Sequence, residues 1–183
     1  SEVMIVAEES ASLQNRLQTT GILNHEIAVG CGATGVAAKA SGIGRDARVN
    51  FPYAAYEALG FSQIEVERSG DVYARFRVRA REVEASIKLL SKALNKLPDG
   101  EIKIDKVFKF EKNASVVSVV EGWRGEIVYF VKTDGEGKIQ RVAPRDPSVM
   151  NWPLIGYAIT HNIVPDFPLI NKSFNLSYSG NDL

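Results

Sequence analysis

Few side chains in this sequence could form or break a bond. Cys31 is its one cysteine, and His25 and His161 are its two histidines. Together they could give a thiolate and its base, but they are dispersed along the chain, so only the fold could pair them. A single thiol excludes an intrachain disulfide framework and any all-thiolate metal site. Gly30-Cys31-Gly32-Ala33-Thr34-Gly35 has the spacing G-x-G-x-x-G, which cradles a pyrophosphate when it follows a strand and opens a helix. No convincing strand precedes it and no βαβ pattern surrounds it, so close packing of backbones is the stronger reading. Arg45, Asp46 and Arg48 could mark a site, but a buried ion-pair cluster that fixes the glycine-rich turn is favoured. No carboxylate pair stands out by spacing among the 22 acidic residues.

These groups need elements to position them. Val6, Ser10, Leu13 and Leu17 recur at helical steps, which predicts one amphipathic helix from Glu2 to about Thr19, stopped by Gly21. The glycines between Ala28 and Gly44 argue against one long helix there. Pro52–Leu59 reads as a short helix, and Ile64–Arg68 alternates like a short strand. The clearest helix runs from Asp71 to about Leu97. Val72, Phe76, Val83, Ile87, Leu90, Leu94 and Leu97 form its apolar face, Asp71 is its N-cap, and Pro98 and Gly100 end it. Seven basic residues from Arg75 to Lys96 surround that stripe. Glu82 and Glu84 interrupt them and no aromatic residues interleave, so a solvated face is favoured over a nucleic-acid groove.

The period then changes. Ser115–Val120, Ile127–Val131 and Lys138–Val142 read as strands, with Asp134-Gly135-Glu136-Gly137 as a hairpin loop. Helices follow at Pro147 to about Thr160 and Pro168 to about Phe174, and Ser177–Leu183 is turn-rich. The fold class is α+β, predominantly α. It is a helical bundle centred on Asp71–Leu97, with a small antiparallel sheet at 115–142 on one side.

The 183 residues carry 22 basic and 22 acidic side chains, 45% apolar residues and 24% charged ones. That is the balance of a folded single domain, able to bury about 70% of its unfolded surface without a metal or disulfide. Zero net charge gives no long-range pull toward nucleic acid or an anionic membrane. The apolar runs are far short of a membrane span of ~20 residues. No signal-peptide pattern is present, and the chain itself is expected to be soluble. A sequence that starts at Ser1 without methionine is expected to be a piece of something longer.

Several motifs in order resemble a known family. They are Ala40-Ser41-Gly42-Ile43, Arg45-Asp46-Ala47-Arg48, Pro52-Tyr53-Ala54-Ala55-Tyr56, Gly70-Asp71-Val72-Tyr73-Ala74-Arg75, and Leu94-Asn95-Lys96-Leu97-Pro98-Asp99-Gly100-Glu101-Ile102-Lys103. This order resembles the C-terminal half of the large subunits of membrane-linked NiFe hydrogenases. It equally resembles the homologous quinone-pocket subunit of respiratory complex I, the NADH–quinone oxidoreductase. The likeness runs from about Leu23 to the end. On this resemblance, residues 1–183 are a single C-terminal domain of a longer large subunit.

Glu121-Gly122-Trp123-Arg124-Gly125-Glu126 is similar to the family's E-x-x-R-G segment. By that resemblance Arg124 is the catalytic candidate, an arginine that overhangs the reaction centre in true hydrogenases. Glu121, Pro144, Arg145, Ser177 and Gly180 would line the same pocket. Family hydrogenases end in a Cys-x-x-Cys that holds nickel and iron. Here Ser177 and Gly180 stand in those places, and neither replaces a soft thiolate. No metal is therefore expected, and this chain should bind no cofactor of its own, although a quinone is possible in a full complex.

The implied partners are the N-terminal half of the same subunit, an iron–sulfur small subunit and membrane-arm subunits, with no nucleic acid. The implied location is the cytoplasmic face of the inner membrane, within a complex. The function implied is that of an electron-transfer subunit without the NiFe centre, inactive as an isolated piece. The alternative is a non-catalytic scaffold or interaction domain of such a complex.

Overall fold

A computed structural model describes residues 2–62, 64–100, 103 and 108–182. Glu101 and Ile102, part of one motif above, lie outside the described residues. At the N-terminus, the single helix expected over Glu2 to Thr19 is two helices, α1 (Glu2–Glu9) and α2 (Ala11–Leu17). Ser10 leaves the helical region, with φ −78° and ψ 100°, and its hydroxyl accepts the Leu13 N–H as the cap of α2. A serine that serves as an N-cap competes with the continuous helical ladder. The glycine-rich stretch forms two short helices, α3 (His25–Gly30) and α4 (Gly35–Ala40), followed by α5 (Ala47–Asn50).

Two sequence expectations fail in the next segment. Residues 54–60 form consecutive turns and not a helix. Ala54 sits at φ +48°, in the left-handed region just after Pro52 and Tyr53, which prevents a regular helix from starting there. Ile64–Arg68 forms no strand among the described residues. The Glu67 N–H instead donates to the Lys39 carbonyl and the Gly70 N–H to that of Ala40. Both carbonyls lie at the end of α4, so the segment serves as a C-terminal partner of that helix.

Helix α6 (Val72–Asn95) is the long helix the sequence predicts. Asp71 caps it, accepting the Ala74 N–H at 2.7 Å with one carboxylate oxygen and the Thr19 N–H at 2.9 Å with the other. Three strands follow, β1 (Ser115–Gly122), β2 (Gly125–Thr133) and β3 (Ile139–Arg145), antiparallel in the order β1-β2-β3. Trp123 and Arg124 form a two-residue turn between Gly122 and Gly125, which face each other in register. At the second hairpin, Asp134 accepts the Glu136 and Lys138 N–H groups, both at 2.9 Å.

The chain closes with α7 (Pro147–Ala158), a 3-10 turn at Val164–Asp166, α8 (Phe167–Phe174) and α9 (Tyr178–Asn181), a short helix where only turns were expected. The main core joins both ends of the chain to the start of α6. Leu17, Leu23 and Ala28 meet Val72, and Leu154, Ile170 and Phe174 close over them. The outer turns of α6 are different: Val83, Ile87, Leu90 and Leu94 are exposed. No helix among the described residues is long and apolar enough to cross a membrane.

Candidate functional site

The glycine-rich stretch and the β1–β2 turn meet backbone to backbone. Gly35 has φ +57°, and a Cβ there would run into the Arg124 carbonyl; one on Gly125 would run into the Thr34 hydroxyl. The G-x-G-x-x-G spacing thus serves close packing. Asn151 of α7 locks the junction, accepting the Thr34 N–H at 3.0 Å and donating to the Thr34 carbonyl at 3.1 Å.

This junction aims Arg124 at the end of α8. Its Nε donates to the Asn175 carbonyl, at the left-handed residue that terminates α8. Arg79 donates to the neighbouring Phe174 carbonyl at 3.2 Å. Carbonyls left free at a helix C-terminus attract cations. Among the described residues neither Arg79 nor Arg124 has a carboxylate within ion-pair distance. Burial pushes the Arg79 guanidinium down to about 10, and the nearby Arg124 charge adds to that against Glu82.

The tail beyond Asn175 is occupied by its own chain. The Ser177 hydroxyl accepts the Gly180 N–H at 3.0 Å as the cap of α9, and the Ser177 N–H donates to the Ser148 hydroxyl. A Cβ on Gly180 would lie 2.5 Å from the Asp146 carboxyl carbon. That carboxylate caps α7 through the Ser148 N–H at 2.7 Å. The residues here do not fit a nickel–iron centre: one hydroxyl is engaged, and a carboxylate fills the space beside the glycine. Among the described residues no group of three or more His, Cys, Asp or Glu side chains could hold a metal ion.

Glu121 points elsewhere, into a buried charge cluster that the sequence reading only half resolves. Lys39 in α4 is nearly inaccessible, and its ammonium lies 2.7 Å from Asp46, 2.5 Å from Glu82 and 3.5 Å from Glu121. Arg48 forks onto Asp46 at 2.9 and 2.7 Å. Burial opposes charge on Lys39, but Glu82, Glu121 and Asp46 outweigh it and raise the lysine pKa. Burial likewise works against an ionised Asp46, yet the Arg48 and Lys39 contacts together hold its pKa below the ordinary value. For Glu121 burial prevails over Lys39 and the Ala47 N–H, so its carboxyl is shifted upward.

Arg45 does not belong to this cluster. It is largely exposed and forks onto Glu126 at 2.8 and 3.1 Å. Glu126 stands opposite Glu121 across the hairpin, and the two like charges are each matched by a separate cation.

The structure therefore divides the candidate residues. Arg124, Ser177 and Gly180 gather around the α8 end and the start of α7. Pro144 is paired with Tyr129 in the sheet, and Arg145 lies 3.9 Å from Glu126. Glu121 opens instead to a groove of about 370 Å³ shared with Arg48, Glu82, Val83, Ile87 and Trp123. His25 bonds to the Ser41 carbonyl at 2.7 Å, and among the described residues no hydrogen bond joins Cys31 to either histidine.

Lys39, Glu82 and Arg79 were missed by sequence reasoning. Arg75 was assigned to a solvated face but is fully buried, donating to Ser173, Gly70 and Gly21 over the Phe174 ring. A lone lysine inside Gly-Val-Ala-Ala-Lys-Ala was the one available signal.

With this geometry established, known proteins give the framework. Residues 1–115 match the family described as the respiratory-chain NADH dehydrogenase 49 Kd subunit. The chain belongs to this family. Its relatives include the carbon monoxide-induced hydrogenase of Rhodospirillum rubrum, 32% identical over 95% of this chain and 48% of that protein. An NADH-quinone oxidoreductase subunit of Dehalococcoides mccartyi is 36% identical over 74% of this chain and 37% of that protein. The fold matches a chain in the structure of the membrane-bound sulfane sulfur reductase, an archaeal respiratory membrane complex. There the TM-score is 0.89 at 26% identity, over all of this chain and 51% of the other. The chain thus spans about half the length, or less, of these family members.

Proposed function

We propose that the chain forms part of the large-subunit-type component of a membrane-associated electron-transfer complex, in a version that holds no nickel–iron centre in this region. The observation that carries the reading is the end of α8. Arg124 and Arg79 bring two guanidiniums there without a carboxylate partner, while Ser177 and Gly180 are closed off by a helix cap and by Asp146. Family membership supports the same setting, since the relatives are named as hydrogenase and quinone-reductase subunits.

Arg124 is the residue with capacity to act on a bound group. Its Nε is fixed by Asn175, and its terminal nitrogens make no hydrogen bond to the described residues. A fixed planar cation of this kind orients a carbonyl or anionic oxygen, such as a quinone headgroup in the assembled complex. The partners proposed are the remaining half of the subunit, an iron–sulfur small subunit and membrane-arm subunits, with assembly at the cytoplasmic face of the inner membrane. A scaffold role is the second reading, favoured by one contact: the Arg124–Asn175 bond also ties the hairpin to α8.

Replacing Arg124 in the assembled complex separates the two. Arg124→Leu is expected to lower electron transfer about 10²-fold, the usual loss for a positioned donor, with assembly and melting temperature retained. Arg124→Lys keeps charge without the planar fork and should recover part of the activity. Unchanged electron transfer with a lower melting temperature establishes the scaffold reading instead.

A further inference from the structure

The outer half of α6 presents an apolar stripe that nothing among the described residues covers. Val83, Ile87, Leu90, Leu94 and Leu97 recur at helical spacing, and the last three of these are 62%, 72% and 68% exposed. On the helix, from Val83 to Leu94, the stripe runs roughly 17 Å, about three turns, and Leu97 follows just past the C-cap Lys96. At its inner end it joins the groove lined by Trp123, Arg48, Glu82 and Glu121. The helix is patterned for a partner. Lys88 and Lys92 lie on the other side, against Gly60 and Phe61, and Lys96 continues their row. A lipid surface would draw those lysines toward itself, but they face away from the stripe.

We propose that this stripe seats an amphipathic helix of the same subunit, supplied by polypeptide outside residues 1–183. One observation selects that occupant. The family members carry about as much chain again beyond the matched stretch, since this chain covers 48% of one and 51% of another. This chain's own N-terminal helices, α1 and α2, cover another side of α6. The Thr20 carbonyl just after α2 accepts the Val72 N–H at the helix start, and Met4, Ile5 and Glu8 of α1 lie beside Arg77, Ala80, Arg81 and Glu84. That side of α6 is about 100° round the helix from the stripe, so α1 leaves the stripe's own face open to polypeptide from elsewhere. A ridge of apolar side chains then packs between the stripe and Trp123, as in helix-in-groove recognition. The inference rests on family membership and α6 geometry, and stands or falls separately from the role of Arg124.

The test is site-specific photocrosslinking in the purified complex that contains the full-length polypeptide. The photoreactive residue p-benzoylphenylalanine replaces Leu90 or Leu94, and Lys92 in a control, and the captured peptide is identified by mass spectrometry. Assembly of each variant is confirmed before irradiation, and Val83 is a second position if either leucine variant fails to assemble. The expected result is capture of a peptide of the same polypeptide from outside residues 1–183, at the leucine positions and not at Lys92. Capture of a second copy, of another subunit, or of residues 1–183 themselves overturns the proposal. So does irradiation that captures no peptide, or a full-length polypeptide with nothing outside residues 1–183.

Discussion

Glu121 and Lys39 show how one buried cluster can shift an acid and a base in the same direction for different reasons. Both pKa values are raised on folding, but the charged forms differ. A raised lysine stabilises the fold below its unfolded pKa and loses that contribution as pH rises through the folded value. A raised glutamate also binds its proton more tightly when folded, so its effect on stability falls as pH climbs through the carboxylate range. Glu121→Gln keeps an acceptor for the Ala47 N–H, now 2.9 Å from the carboxylate, and removes the titration. From about pH 4 to about pH 7, wild-type stability should fall relative to Glu121→Gln in thermal melts. A gap that stays flat, or moves toward wild type, contradicts the burial argument. The sequence could not have shown this cluster, because its members come from α4, the cap of α5, α6 and β1. Asp46 and Arg48 were legible as an ion pair from their spacing, whereas Arg45 faces Glu126 because the strand register places that carboxylate beside it.

At the level of elements, period and caps were readable where a segment follows its own local rules. Asp71 and the 3.6 period announced α6, Pro147 announced α7, and the period of two announced the sheet. What failed was local conformation set by a single residue, as at Ser10 and Ala54, and pairing with a distant carbonyl, as at Glu67. The junction of α4 with the β1–β2 turn was read correctly in kind, as close backbone packing, but its partner Gly125 was not foreseen. Gly35 and Gly60 make a direct comparison, since both have positive φ, yet a Cβ on Gly60 meets nothing within 4 Å. Gly60→Ala should cost only the conformational term, about 1–2 kcal/mol. Gly35→Ala should cost clearly more by urea unfolding, because the Arg124 carbonyl must also be displaced. Equal losses would mean that α4 and the hairpin can move apart freely.

Across the whole molecule, the family match at residues 1–115 suggests a unit that the packing does not support. The core around Leu23, Ala28 and Val72 is closed by Leu154, Ile155, Ala158, Ile170 and Phe174 from the other end of the chain. Arg75 makes the dependence sharper. It is fully buried, and it rests on the Ser173 hydroxyl at 2.9 Å and the Phe174 ring as well as on two carbonyls. Burial, reinforced by the Arg79 charge and opposed by Asp71, pushes its guanidinium down to about 9, so the cation depends on the protein groups that solvate it. Residues 1–145 would keep α6 and the sheet but lose the apolar lid, the Ser173 and Phe174 partners of Arg75 and the Asn151 clamp on Thr34. Leaving a buried charge short of partners costs about 3–5 kcal/mol, and each large apolar side chain removed costs about 2–5 kcal/mol more. Those losses reach the whole stability of a domain this size, about 5–15 kcal/mol. The truncated chain is therefore expected to unfold without a cooperative transition in calorimetry, while residues 1–183 give one. A sharp transition for residues 1–145 would show that α7–α9 dock onto a unit already folded, and that Arg75 finds its solvation without them.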